Sequence, residues 1–152
     1  NFGAITGFKG LPYKILVIDD KWENRSILVD LLTPLGFKLI EATDGQDGLH
    51  KARMLKPDII FTDLVMPVMD GFEAIRQLRQ EPQFQTVAII AMSASVFDYN
   101  RQQSCQAGCD GFLPKPIQFS ELLEQLKIHL DLQWVYNESE VKSQTTEVSD
   151  SP

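Results

Sequence analysis

Five polar residues stand where short apolar runs end in this chain of 152 residues: Asp19 and Asp20 after residues 15–18, Asp63 after 59–61, Ser93 after 87–90 and Lys115 after 111–113. An isolated charge is expensive to bury, so a carboxylate at the tip of a burial-prone strand needs water or an opposite charge. Two carboxylates about 4 Å apart repel by roughly 4 kcal/mol at an effective dielectric of 20, and three would meet here. Lys115 cancels one charge and leaves about two, which a hard divalent cation neutralises. Oxygen ligands without histidine or thiolate favour Mg²⁺ over zinc, and a few carboxylates with water and a phosphate is a usual magnesium arrangement. A lone aspartate at such a place is ordinarily a helix N-cap, and Asp44 and Asp70 are assigned that role. The same assignment for Asp19, Asp20, Asp63 and Lys115 jointly would leave like charges uncompensated.

For these residues to meet, the chain must supply a sheet whose strand ends share one edge. Residues 15–18, 37–40, 59–61, 87–90 and 111–113 have strand length and composition. Between them run helical stripes, Ile27, Leu28, Leu31, Leu32 and Leu35 in one, Phe119, Leu122, Leu123, Leu126 and Leu130 in another. A helix starting at Asp70 is expected to bury Phe72, Ile75 and Leu78; weaker helices follow Asp44-Gly45 and cover 96–107. Alternating strands and helices predict a flavodoxin-like, doubly wound (βα)5 fold, with a five-stranded parallel sheet in the order 2-1-3-4-5 covered on both faces. Ligands of such sheets bind beyond the carboxyl ends of the strands. That order sets strands one, three, four and five side by side and collects the three aspartates, Ser93 and Lys115 at one edge. Residues 1–12, with three glycines and a proline, read as a linker or the end of a preceding segment. The folded body is 13–136, and 137–152, with one lysine against four acids, reads as a disordered acidic tail.

At this point the sequence resembles a known family, the receiver (phospho-acceptor) domains of two-component response regulators. The resemblance covers about 14–131 and rests on IDD at 18–20, TDLVMPVMDG at 62–71, MSA at 92–94 and FLPKP at 112–116, with 22 residues from Ser93 to Lys115. It implies that Asp63 accepts a phosphoryl group and that Asp20 and Asp63 hold Mg²⁺. It further implies that Asp19 acts through coordinated water and that the backbone carbonyl of Val65 supplies another ligand. By the same resemblance Ser93 binds the phosphoryl group, Lys115 pairs with it across a cis Lys115–Pro116 bond, and Ser93 and Phe112 form the switch. The implied donor is a phosphohistidine on a histidine kinase or histidine phosphotransfer protein, the domain catalysing its own phosphorylation and dephosphorylation. Whether the parent chain is an enzyme is left open. The DDKWENR start at 19–25 resembles receivers embedded in hybrid histidine kinases, with a stand-alone regulator as the alternative. Burial of the Phe112 ring should bias its inward state, so activation is expected to move residues 94–107 and 112–130 only modestly.

Other chemistries fit less well. A nucleotide binder of this fold class needs an anion-cradling loop after strand one, where this chain has Asp-Asp-Lys-Trp-Glu-Asn. A haloacid-dehalogenase-type phosphatase carries its nucleophile at strand one and a second acid two residues on, and position 65 is valine. A non-phosphorylated interaction module would not need the complete acidic set. Fourteen basic against 21 acidic residues give −7, which argues against nucleic-acid binding and anionic membrane contact. No apolar run approaches the ~20 residues of a membrane span. Cys105 and Cys109 are too few for a disulfide framework, so a cytoplasmic location is expected and the pair reads as small hydrophobes. His50 and His129 read as surface helix residues. A weak homodimer is left open.

Overall fold

The computed structural model describes residues 5–94 and 106–136. Its centre is a five-stranded parallel sheet made of β2 (Lys14–Ile18), β3 (Lys38–Ala42), β4 (Ile59–Asp63), β5 (Ala88–Ser93) and β6 (Gly111–Pro114), in the spatial order β3-β2-β4-β5-β6. This is the order expected from the alternation of elements. Every residue of β4 and β5 is buried, because helices cover both faces.

The side-chain alternation of the strands divides the core in two. Ile15, Val17, Ile59, Phe61, Ile90 and Met92 face α1 (Trp22–Leu32) and α4 (Phe119–Leu130), meeting Leu28, Leu32, Leu122, Leu123 and Leu126. Leu16, Ile18, Ile60 and Ile89 face the other way, toward Leu49 and Ala52 of α2 (Gly45–Leu55) and Ile75 and Leu78 of α3 (Gly71–Gln80). Asp44 and Asp70 are N-caps, their side chains accepting hydrogen bonds from the backbone N–H groups of Asp47 and Glu73. Ile27, expected on the buried stripe of α1, is 43% exposed, and Phe72 is half-buried. Eleven residues of helix present a narrower buried stripe than the sequence pattern offers. His50 is exposed and His129 half-buried. The expected helix at 96–107 lies mostly outside the described residues, as do Cys105 and the segment 137–152.

A second, two-stranded sheet lies outside this frame. Ile5–Lys9, within the segment expected to be linker, forms β1 and pairs antiparallel with β7 (Gln133–Tyr136). An aromatic cluster anchors the ribbon: Phe8 stacks on Phe37 at 4.3 Å between centroids, and Trp134 meets Phe37 edge-on at 6.3 Å. Ile5 and Trp134 are buried against the α1 and α4 side of the core. Gly7 interrupts any apolar alternation in β1, which is why the strand carries no local signal; its partner is more than 120 residues away.

Arg79, which no motif pointed to, ties several of these elements together. Its guanidinium donates to the carbonyls of Phe84 (2.6 Å), Val87 (2.8 Å) and Gly108 (2.8 Å) and to Asp110 Oδ2 (2.6 Å). Asp110 in turn accepts from the Ile89 N–H at 2.9 Å, fixing the starts of β5 and β6.

Candidate functional site

Parallel register brings the carboxyl ends of β2, β4, β5 and β6 to one edge, with Asp63 beside Met92 and Ser93 beside Pro114. The open cleft beyond them, about 500 Å³, is lined by Asp20, Lys21, Asn24, Asp63, Val65, Met66, Pro67, Ser93, Ala94 and Lys115. One carboxylate oxygen from each of Asp19, Asp20 and Asp63 lies within 4.8 Å of the others.

Each acid has a different environment. Asp19 is buried, and its carboxylate is fully engaged. Oδ2 accepts from Lys115 Nζ at 2.8 Å, and Oδ1 accepts from the Lys21 backbone N–H at 3.0 Å and from Asn24 Nδ2 at 3.4 Å. Asp20 is exposed at the cleft. Asp63 is 8% exposed; its Oδ1 accepts from the Leu64 N–H at 3.0 Å and sits 3.4 Å from Lys115 Nζ. Burial pushes the Asp63 carboxyl above its ordinary pKa, Lys115 opposes that shift, and repulsion from Asp19 adds to it. The ammonium thus spans two carboxylates and cannot neutralise three.

The loop after Asp63 is held by a close backbone approach. A Cβ on Gly71 would stand 2.1 Å from the Asp63 carbonyl oxygen, so only glycine lets α3 begin against the strand end. Its N–H donates to the Leu64 carbonyl at 3.1 Å. Val65 is 73% exposed and borders the cleft. Lys115–Pro116 is cis. Ser93 is buried at the end of β5. Phe112 is half-buried on β6 and packs against the α2 and α3 side of the core.

The donor set suits a small hard cation: carboxylate oxygens converge on one point, and among the described residues no histidine or cysteine joins them. Asp20 and Asp63 have carboxylate capacity to spare, whereas Asp19 is committed to Lys115. Sequence reasoning passed over Arg25, which holds the Asp19 carbonyl at 2.7 Å through Nη1 and Glu41 at 3.0 Å through Nε. Its only local signal was its place in the Asn24-Arg25 pair that follows the acids.

Comparison with known proteins agrees with this geometry. The sequence profile of the response regulator receiver domain matches residues 15–127. Sensor protein EvgS of Escherichia coli is 39% identical over 122 residues, spanning 79% of this chain and 10% of EvgS. Polar-differentiation response regulator DivK of Brucella anthropi is 26% identical over 120 residues, spanning 79% of this chain and 98% of DivK. The receiver domain of sensor histidine kinase PA1611 from Pseudomonas aeruginosa, solved with a magnesium ion coordinated in its active site cleft, gives a TM-score of 0.74 at 29% identity. That superposition covers 80% of this chain and 99% of the other.

Proposed function

This chain belongs to the response regulator receiver domain family, and from that premise we propose that Asp63 accepts a phosphoryl group from a phosphohistidine in a two-component relay. The observation that carries the proposal is the placement of Lys115 Nζ, 2.8 Å from Asp19 and 3.4 Å from Asp63, beside three carboxylates it cannot balance alone. An Asp63 oxygen attacks phosphorus as the histidine N–P bond breaks; the imidazole keeps the electron pair and takes a proton from solvent. Such transfer depends on alignment and charge neutralisation more than on covalent assistance from the protein.

Each residue then has a task. Lys115 opposes the upward push that burial gives the Asp63 pKa and pairs with the arriving phosphoryl oxygens. Ser93, at the neighbouring strand end, offers its hydroxyl to the same group. Asp20, Asp63 and the Val65 carbonyl would hold Mg²⁺, with Asp19 contributing through water. When bound, the ion offsets the repulsion between carboxylate and phosphoryl group. Phe112 and Ser93 would report the modified state through the β6–α4 face. The partner is a histidine kinase or histidine phosphotransfer protein, which implies a cytoplasmic site of action.

Incubation with acetyl phosphate and Mg²⁺ should add one phosphoryl group at Asp63, and Asp63→Asn should abolish it. Mass spectrometry that finds the group on another residue refutes the assignment.

We further read the parent chain as a hybrid histidine kinase. Identity to hybrid signal transduction histidine kinases L and D of Dictyostelium discoideum is 38% and 33%, against 26% to DivK and 32% to protein PilG of Pseudomonas aeruginosa, relatives that this chain spans to 98% and 87% of their length. A reading frame that carries a kinase ATP-binding domain upstream would support this; a start codon just before residue 1 would oppose it.

A further inference from the structure

Arg25 follows the acids in sequence and, unlike its neighbour Asn24, does not line the cleft, which makes it an unusual neighbour for a cation site. A guanidinium near clustered carboxylates ordinarily forks onto one of them, which would consume a ligand and repel the metal. Arg25 does neither. Its Nη1 donates to the backbone carbonyl of Asp19 at 2.7 Å, and its Nε donates to Glu41 at 3.0 Å, on the neighbouring strand β3. Glu41, whose side chain is 47% exposed, balances its charge, while the Arg25 side chain is only 12% exposed and its bond to the Asp19 carbonyl is partly buried.

The end of β2 needs such a brace. Asp19 and Asp20 are adjacent like charges facing a third in Asp63, and mutual repulsion favours splaying this turn away from β4. The Asp19 backbone is fixed at both ends, its N–H donating to the Ala42 carbonyl at 3.1 Å and its carbonyl accepting from Arg25. Arg25 is itself carried in the first turns of α1, with its own N–H donating to the Lys21 carbonyl. The tie therefore runs from α1 through the strand end to β3, leaving the Asp20 carboxylate free toward the cleft.

We propose that Arg25 is a positioning residue for the cation site: by holding the Asp19 carbonyl and Glu41 together it fixes the turn that presents Asp20 to Asp63. The proposal rests on reading the acidic cleft as a Mg²⁺ site. It makes a prediction of opposite sign to simple electrostatics. Removing a positive charge near the cleft should by Coulomb's law tighten cation binding, whereas removing a brace should weaken it.

The test is Mg²⁺ titration of the full chain followed by amide NMR shifts in residues 63–66, with urea unfolding in EDTA run in parallel. Arg25→Met should weaken Mg²⁺ binding by about 10-fold or more, the range seen when supports of metal ligands are removed. Arg25→Lys, with one ammonium able to reach the Asp19 carbonyl but not both partners, should weaken it by a few fold. Should Arg25→Met fail to fold, Arg25→Lys alone decides. Unchanged affinity in Arg25→Lys, or unchanged or tighter binding in Arg25→Met, overturns the proposal even if stability falls. Failure of the site reading looks different: wild type would then show no saturable Mg²⁺ shift, or one that Asp20→Asn leaves intact.

Discussion

Asp63→Asn should make the cation-free protein more stable, although it removes one partner of an ion pair. The Asp63 carboxylate lies 3.4 Å from Lys115 and within 4.8 Å of oxygens from both Asp19 and Asp20. At an effective dielectric of 20 the attraction is about 5 kcal/mol and each repulsion at least about 3 kcal/mol, so the two repulsions exceed the attraction by roughly 2 kcal/mol. Burial adds to the cost of the charge, while water reaching the exposed Asp20 screens part of the repulsion. Asparagine keeps the shape, accepts the Leu64 N–H and leaves Lys115 paired with Asp19. A gain of about 1 kcal/mol is expected at neutral pH in EDTA, read as a higher urea midpoint at unchanged slope. The pH dependence has a definite sign. Because the folded Asp63 pKa is raised, its protonated form suits the fold, and the penalty for ionisation is absent below the ordinary carboxylate pKa. The advantage of asparagine should therefore be full above the raised pKa and vanish as pH falls to about 4. Mg²⁺ should reverse the ranking, since it stabilises the protein that binds it. A loss of 1 kcal/mol or more at neutral pH without metal, or an advantage that grows on acidification, would refute the charge argument.

Three further outcomes follow from particular contacts. Arg79→Met should cost about 3 kcal/mol in urea unfolding, since charged donors to several carbonyls and Asp110 are lost together. Arg53→Met, which breaks a more exposed pair with Glu81, should cost less than about 1 kcal/mol, and equal losses would mean Arg79 is only a surface ion pair. Gly71→Ala, whose methyl would lie 2.1 Å from the Asp63 carbonyl, should slow acetyl phosphate labelling of Asp63 at least about 10-fold, because a displacement near 1 Å at a reacting group can cost more than that; labelling at the wild-type rate would show that the loop yields freely. Deleting residues 1–9 should lower stability by about 2–4 kcal/mol through loss of Ile5 and Phe8 packing, with a red shift of Trp134 fluorescence. An unshifted spectrum would show that Phe37 alone shields the indole.

What the sequence by itself determined is what short stretches of chain decide. Runs such as IIF at 59–61 and AIIAM at 88–92 are apolar throughout because both of their faces are buried, so strand identity, parallel pairing and sheet order were legible. Asp44 and Asp70 could be read as caps because capping is settled within a few residues. Asp19, Asp20, Asp63 and Lys115 could be gathered in advance because each ends a strand, and a parallel sheet puts those ends on one edge. Tertiary structure decided what depends on distance between segments remote in sequence. β1 pairs with β7 through backbone groups that every residue carries, and its stabilising aromatics come from three separate segments, so Ile5–Lys9 looked like linker. The contacts of Arg25 and Arg79 also stayed hidden, because Arg79 bonds mainly to carbonyl oxygens and Arg25 holds one beside its bond to Glu41. Carbonyls occur at every position and leave no mark in composition; only the fold says which ones a guanidinium can reach.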